Sequence, residues 1–140
     1  MSNKYFWLAA GIALLIGAGV AYRAFLRPPS RAPVSSGKTV RQTVVARENA
    51  WLFDPEVVEV YQGDRVILDV VNEDAYDHGI GIDFFGVSQR MPPKSTITVE
   101  FTATQLGDFP FYCSVPCGDG IYKGKKRTHF DMTGHIKVVP

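Results

Sequence analysis

Cysteine is scarce in this sequence, with two residues among 140. Two cysteines are too few for a disulfide framework, so any role they have is local. Neither sign of charge is in excess, because 15 basic residues stand against 14 acidic ones and the formal net charge is +1. This near-neutral total gives no argument for nucleic-acid binding and none for a strongly acidic partner. We therefore predict no nucleic-acid partner.

Charge is absent from residues 5–22, an apolar run near the amino terminus. About 20 apolar residues span a bilayer as a helix, and slightly shorter runs also suffice. We predict that residues 1–26 form a membrane anchor that crosses the membrane once. The alternative is a cleaved signal peptide, with Gly19 and Ala21 as the small residues before the cleavage point. In both cases the rest of the chain is expected to be exported.

Basic residues are unevenly placed around this run, since Lys4 precedes it and Arg23, Arg27 and Arg31 follow it. Taken alone, the positive-inside rule predicts a cytoplasmic domain. The metal chemistry described below favours the opposite side, so we predict that the domain lies on the periplasmic or extracellular face. Residues 27–38 are rich in proline and serine and have no apolar period, which predicts a semi-extended linker.

Residues 39–140 are predicted to form one all-β domain. Apolar and polar residues alternate in three segments, which contain Val66, Leu68 and Val70, then Ile97, Val99 and Phe101, then Phe109, Phe111 and Cys113. Alternation with a period of two is typical of half-buried strands, and turn-forming residues separate the segments. Several short strands at this spacing predict a β-sandwich or a barrel.

Residues that bind soft or borderline metals are concentrated in this domain. One segment contains His78, and another contains Cys113, Cys117, His129 and Met132. Thiolate and thioether ligands favour copper(I), and imidazole suits both oxidation states of copper. Calcium and magnesium prefer oxygen ligands. Zinc could use the cysteines and histidines, but it would leave the methionine without a role.

Two stretches of this domain resemble a known family. Residues 53–64 resemble the hairpin near the start of cupredoxin domains. Residues 111–118 and 129–134 together resemble the binuclear copper A loop of cytochrome c oxidase subunit II, and of small membrane-anchored cupredoxins related to that subunit. The resemblance covers nearly all of residues 39–140 and implies a cupredoxin-like Greek-key β-sandwich or barrel. Mononuclear blue-copper cupredoxins use a single cysteine, so the Cys-x-x-x-Cys spacing separates this chain from them.

The resemblance also implies a cofactor and a set of ligands. The cofactor is a copper A centre with two copper ions. The implied ligands are the bridging thiolates of Cys113 and Cys117, the imidazoles of His78 and His129, the thioether of Met132 and the backbone carbonyl of Val115. A centre of this kind transfers single electrons and performs no substrate chemistry.

The chain departs from the family's Cys-Gly-x-Gly-His pattern, because eight residues, Ile121–Thr128, precede His129. Without an insertion, Ile121 would take the position of the histidine ligand. We predict an insertion, because His129 and Met132 keep the family's mutual spacing. Lengthening the loop in this way costs roughly 1 kcal/mol of closure entropy, which metal binding can exceed.

The insertion carries four basic residues and no acidic one, at Lys123, Lys125, Lys126 and Arg127. We interpret it as a solvated, mobile loop. The alternative is a docking patch beside the metal for an acidic protein or for anionic lipid headgroups. Residues 1–38 also carry an excess charge of +5, so the rest of the chain carries −8.

The sequence also predicts which of several other residues of the domain are buried and which are exposed. Most of a set of aromatic residues are predicted to pack in the core, and the alternative is that they shelter the metal site or shape a docking surface: Trp51, Phe53, Phe84, Phe85 and Phe130. His135 is predicted to face solvent, because it alternates with the core-facing residues of the last strand. Met91 is predicted to lie at the surface, because its stretch is polar and followed by two prolines.

The function implied by the resemblance is electron transfer, as subunit II or a subunit-II-like part of a heme-copper terminal oxidase. The chain would not be a catalyst by itself, since the oxygen chemistry belongs to another subunit. The implied partners are the oxidase core subunit and a cytochrome or other one-electron donor, an acidic one in view of the basic cluster. One alternative is a standalone anchored protein that delivers, stores or senses copper. Another is a metal-free β-sandwich with a Cys113–Cys117 disulfide, used for interaction.

Overall fold

The computed structural model describes residues 3–26 and 37–140. They belong to two compact units, a helical one and a β one, which we treat separately. Helix α1, Lys4–Ala21, continues into a π-helical turn, Tyr22–Leu26, and none of its side chains is buried. Together these residues are long and apolar enough to cross a membrane, although a signal sequence has the same character. Residues 27–36 of the predicted linker lie outside the described residues.

Residues 37–140 form two packed β-sheets and a separate β-hairpin. The first sheet has the order β2-β1-β4-β7, the second the order β3-β11-β8-β5-β6, and the hairpin consists of β9 and β10. The strands are β1 Thr39–Ala46, β2 Phe53–Asp54, β3 Val57–Tyr61, β4 Arg65–Asn72, β5 His78–Ile82, β6 Val87–Met91, β7 Thr96–Thr102, β8 Gly107–Tyr112, β9 Asp119–Tyr122, β10 Lys125–Thr128 and β11 Thr133–Val139. This arrangement confirms the predicted all-β cupredoxin-like fold.

The core lies between the two sheets and is built by the alternating residues of the strands. In β4, Val66, Leu68 and Val70 are fully buried, as the period of two predicts. In β8, Phe109 and Phe111 face inward, and the ring of Phe111 packs edge-on against a ring from β2. The exposed position of His135 is also confirmed, since 51% of its side chain is exposed. Its Nδ1 lies 2.6 Å from a carboxylate oxygen of Asp108.

The predicted hairpin over residues 53–64 is wrong. Strand β2 pairs antiparallel with β1 in the first sheet, whereas β3 pairs in parallel with β11 in the second. The chain therefore passes from one sheet to the other at Pro55, which has no N–H to donate to a ladder. In the second sheet, Val58 and Val60 of β3 are buried.

The surface position predicted for Met91 is also wrong, because its side chain is fully buried. Met91 ends β6 directly opposite His78, the first residue of β5. The polar residues that suggested a surface stretch occupy the middle of β6, whereas its two ends face inward. Of the five aromatic residues, two are buried, Phe85 is half-buried, and Phe84 and Phe130 are 50% and 85% exposed.

Candidate metal centre

Sheet topology brings the predicted ligands together at one end of the second sheet. Strand β8 runs antiparallel to both β5 and β11, and Tyr112 at its carboxyl end pairs with Gly81 of β5 and with Thr133 at the start of β11. The chain that leaves β8 therefore runs toward the start of β5. His78 is the first residue of β5, Cys113 directly follows β8, and Met132 directly precedes β11. The backbone N–H of Cys113 donates to the carbonyl of Met132 at 2.9 Å, which joins the two segments.

The two cysteines form the centre of the cluster. Their Sγ atoms lie 3.8 Å apart, and both thiols are free. A disulfide bond is about 2.05 Å long, so these two sulfurs do not form a disulfide. The predicted ligand oxygen of Val115 lies 3.2 Å from the Sγ of Cys113. This spacing leaves each sulfur available to a metal ion.

Each histidine lies beside a different cysteine. The Nδ1 of His78 is 3.8 Å from the Sγ of Cys113, and the Nδ1 of His129 is 3.6 Å from the Sγ of Cys117. The Sδ of Met132 lies 3.6 Å from the Sγ of Cys117. The structure thus brings together all six atoms that the resemblance implies as ligands. The donor atoms of His78 and the two cysteines lie within 4.8 Å of one another, as a metal site requires.

The two halves of the cluster differ in burial. His78 and Met132 are fully buried and Cys113 is 2% exposed. Cys117 and His129 are half-buried, and His129 is followed by the exposed Phe130, whose ring packs edge-on against the imidazole. The His129 side of the cluster is therefore the side nearer to solvent.

Proton affinities within the cluster are strongly perturbed. Burial raises the pKa of the Cys113 thiol, but hydrogen bonds with His78 and with the N–H of Gly79 outweigh burial and lower that pKa to about 6. Burial and the neighbouring Cys113 raise the pKa of Cys117 to about 12. Burial lowers the pKa of His78, but its contacts with Cys113 and Asp74 raise it above the ordinary value. Without metal, one thiol ionises readily while the other keeps its proton, so metal binding at Cys117 releases a proton.

The predicted insertion is an ordered β-hairpin and not an irregular loop. Lys123 and Gly124 connect β9 to β10, and both have positive φ angles, 49° and 74°. Two successive residues of this kind form the type I′ turn that matches the twist of a hairpin. At the base of the hairpin, the N–H of His129 donates to the carbonyl of Gly118 at 2.9 Å. The hairpin therefore returns the chain to the metal cluster.

Local hydrogen bonds fix the segment that carries His129. The Thr128 hydroxyl accepts from the N–H of Phe130 at 3.2 Å, and an Asp131 carboxylate oxygen accepts from the N–H of Thr128 at 2.6 Å. This reciprocal arrangement is a capping box at the start of the short helical turn His129–Asp131. The insertion therefore leaves His129 beside Cys117.

The four basic residues that were predicted to form a docking cluster have different surroundings. Lys126 forms an ion pair with Asp119 at 3.0 Å. Lys123, Lys125 and Arg127 line an open groove of about 640 Å³ between the hairpin and the loop after β1. Within residues 37–140 these three side chains form no ion pair, whereas Arg47 on the far wall is paired with two carboxylates.

Two residues contact the proposed ligands in ways that the sequence did not specify. The carboxylate of Asp74, fully buried, lies 3.0 Å from the Nε2 of His78. The indole Nε1 of Trp51 donates to the carbonyl of Cys117 at 3.3 Å. Asp74 stands in a polar stretch that is typical of a turn, and Trp51 is typical of a core residue. Neither pattern contains a signal of a contact to a ligand.

The donor set fits copper better than the other common metals. Two thiols, two imidazoles and a buried thioether converge, and only the Val115 carbonyl adds oxygen. Hard cations would require more oxygen ligands. Zinc would accept the cysteines and histidines, but the position of the Met132 sulfur against Cys117 suits a softer ion.

Comparisons with known proteins agree with this architecture. A family model described as a cupredoxin-like domain matches residues 18–125. The nitrous-oxide reductase of Stutzerimonas stutzeri is 28% identical over 110 residues. The match covers 76% of this chain, which spans 16% of the length of that curated relative.

Two solved structures share the fold. A chain of a heme-copper terminal oxidase dimer superposes with a TM-score of 0.56 and 18% identity, covering 98% of both chains. Auracyanin from the photosynthetic bacterium Roseiflexus castenholzii superposes with a TM-score of 0.54 and 17% identity, covering 76% of this chain and 99% of auracyanin. At these identities the likeness concerns the fold alone.

Proposed function

Because this chain belongs to the family of cupredoxin-like domains, we propose that it binds copper and transfers electrons through a binuclear centre of the copper A type. The observation that carries the proposal is the pair of free cysteine sulfurs 3.8 Å apart, each with its own histidine. A site for a single blue copper needs only one thiolate. A second thiol and a second histidine beside it match a second metal ion.

The ligands proposed for the two ions follow from these contacts. The thiolates of Cys113 and Cys117 would hold both ions, with the imidazole of His78 on one ion and the imidazole of His129 on the other. Met132 and the carbonyl of Val115 would be weaker ligands. When bound, two copper ions with shared thiolates supply a one-electron couple whose charge is spread over both ions. The protein contributes a buried, hydrogen-bonded cluster, which keeps the ligands in place when the charge changes.

The biological setting proposed for this centre is subunit II, or a subunit-II-like part, of a heme-copper terminal oxidase. The 98% mutual coverage with a chain of a heme-copper oxidase supports this setting, because the match includes the amino-terminal segment as well as the β domain. Helix α1 and the following turn serve as a single-pass anchor in this proposal. The copper domain then lies on the periplasmic or extracellular side of the cell membrane.

Two partners belong to the proposal. One is the oxidase core subunit in the membrane, which receives the electron. The other is a one-electron donor protein with an acidic surface, which docks near the hairpin. Lys123, Lys125 and Arg127 support this choice of donor, because they form no ion pair within residues 37–140 and belong to the hairpin whose base carries His129.

Copper and heme content of the full chain, purified from membranes in mild detergent, test the proposal. We expect two copper ions per chain and co-purification with a heme-containing membrane subunit. Two copper ions without any heme partner would favour the standalone copper-binding protein. A folded chain that takes up no copper would contradict the proposal and leave an interaction domain.

A further inference from the structure

Asp74 is a buried carboxylate directly behind the proposed ligand His78. Both side chains have no exposed surface, and an Asp74 carboxylate oxygen lies 3.0 Å from the imidazole Nε2. Burying a carboxylate is unfavourable unless it is paired and hydrogen-bonded. The side chain that pairs with the Asp74 carboxylate is the imidazole of His78, so the two residues form a buried hydrogen-bonded pair.

Three backbone contacts fix the orientation of Asp74. Its other carboxylate oxygen accepts from the N–H of Asn49 at 2.9 Å. Its own N–H donates to the Asn72 side chain at 2.9 Å, and its carbonyl accepts from the N–H of Lys94 at 3.0 Å. One carboxylate oxygen is thus held by Asn49, and the second remains for His78.

Asn49 reaches Asp74 from an unusual backbone conformation. Its φ angle is 51°, in the left-handed region that few residues other than glycine adopt. Trp51, in the same loop, has a φ angle of 48° and donates to the carbonyl of Cys117. Residues held in such conformations cluster at functional sites, where surrounding contacts over-determine them. This one loop therefore supports both halves of the metal cluster.

The contact with Asp74 sets the protonation pattern of His78. A carboxylate oxygen accepts a hydrogen bond, so in the neutral imidazole, which is the form that binds a metal ion, Nε2 carries the proton and Nδ1 presents its lone pair. Nδ1 is the nitrogen that faces Cys113, at 3.8 Å from its sulfur. A carboxylate behind a ligating histidine orients the ring and increases its donor strength.

We propose that Asp74 is a positioning residue that holds His78 with Nδ1 toward the metal and makes the centre harder to reduce. The second part of this inference rests on the proposed copper function. A buried negative charge close to the site favours the more positive, oxidised state, because little water screens it. Stronger donation from His78 acts in the same direction.

Replacement of Asp74 in the copper-loaded full chain tests the inference. The variant Asp74→Asn keeps the size of the side chain but offers one acceptor oxygen in place of two, so either Asn49 or His78 loses its acceptor. At a fixed ambient potential we expect the ratio of oxidised to reduced centre to fall about tenfold, equal to a rise of about 59 mV for a one-electron couple. Asp74→Glu restores the charge and should recover part of this shift.

Asp77→Asn is the matched control. It removes the same charge one residue before His78, but Asp77 pairs with Arg90 near the surface, and its side chain is 33% exposed. Its effect on the potential should be clearly smaller. An unchanged potential in Asp74→Asn, or an equal shift in Asp77→Asn, would overturn the inference while the wild-type copper content still supports the proposed function.

A second measurement uses the wild-type chain without copper, so it does not depend on whether a variant folds. Long-range proton–nitrogen NMR of the copper-free full chain, recorded at a pH at which the imidazole of His78 is neutral, should show the proton on Nε2. A neutral imidazole with its proton on Nδ1 would overturn the positioning role of Asp74. This result is separate from the proposed function, whose own failure would appear as a wild-type chain that binds no copper.

Discussion

Trp51 and Gly120 illustrate how closely single residues are fitted around the metal cluster. The Trp51 ring is 6% exposed, stacks on Tyr76 and lies directly against Gly120. A Cβ atom built on Gly120 would stand 2.2 Å from the ring, which is far inside van der Waals contact. The absence of a side chain at this position therefore lets the hairpin close over the indole that binds the Cys117 carbonyl.

Gly120→Ala should accordingly destabilise the protein. The methyl group must displace either the Trp51 ring or the hairpin, and overpacking of this kind costs about 1–3 kcal/mol. Thermal or denaturant unfolding of the copper-free chain measures the change in the free energy of unfolding. Ile121→Thr is the control, because Ile121 is 69% exposed and threonine keeps the β-branched shape. Equal stability of Gly120→Ala and the wild type would show that the hairpin does not rest on Trp51.

The two buried methionines of the domain offer a matched comparison. Met132 and Met91 are both fully buried, but only Met132 has its sulfur beside Cys117. Met132→Leu should retain two copper ions and shift the visible spectrum and the potential, because a weak ligand is lost. Met91→Leu should leave both unchanged, since each swap conserves side-chain volume and costs less than about 1.5 kcal/mol. Identical spectra for the two variants would contradict the ligand role of Met132.

At the scale of elements, the hairpin β9–β10 is an addition that leaves His129 and Met132 beside Cys117. Its base pairs Asp119 with Thr128, and the next pair is Gly120 with Arg127. The hydrogen bond between Gly118 and His129 lies outside both pairs, on the side away from the tip of the hairpin. The cluster therefore depends on the base of the hairpin and not on its tip.

A shortened hairpin tests this view. Replacing Ile121–Lys126 with the dipeptide Asn-Gly leaves Gly120 and Arg127 flanking a two-residue type I′ turn. We expect the variant to bind the same number of copper ions, because the segment that carries His129 keeps its hydrogen bonds. Copper content and the visible spectrum check this expectation. Loss of copper from a folded variant would mean that the tip itself supports the site.

Periodicity predicted the strands well where one face of a strand is buried, as in β4 and β7. The hairpin that the resemblance implied for residues 53–64 was wrong, because β2 pairs with the preceding strand β1, whereas β3 pairs with β11, far along the chain. The meeting of the sulfur and imidazole side chains was predictable, because these groups at fixed spacing are chemically specific. Asp74 and Trp51 were not, since their contacts depend on how separate loops meet in three dimensions.

At the scale of the whole molecule, the near-zero net charge conceals a strong separation. Residues 1–38 carry +5, residues 121–128 carry +4 and the rest of the chain carries −8. Part of the hairpin charge is neutralised internally, by the pair of Lys126 with Asp119. The remaining basic side chains of the hairpin lie on a domain that is otherwise acidic.

The amino-terminal apolar segment determines whether the whole molecule stays attached to a membrane. We predict that the mature protein keeps α1, because the apolar segment Lys4–Leu26 is long for the core of a signal peptide. The intact mass of the protein from washed membranes should include this segment, and the protein should leave the membrane only in detergent. A soluble mature form that lacks the amino-terminal residues would contradict the anchor.

Electron paramagnetic resonance of the copper-loaded full chain distinguishes a binuclear centre from a mononuclear one. We expect a mixed-valence signal in which one unpaired electron is shared equally by two copper nuclei. We also expect Cys117→Ser to abolish this shared signal, because a thiolate shared by the two ions would be lost. A wild-type spectrum with the ordinary hyperfine pattern of a single copper ion, and one copper ion per chain, would contradict the binuclear centre.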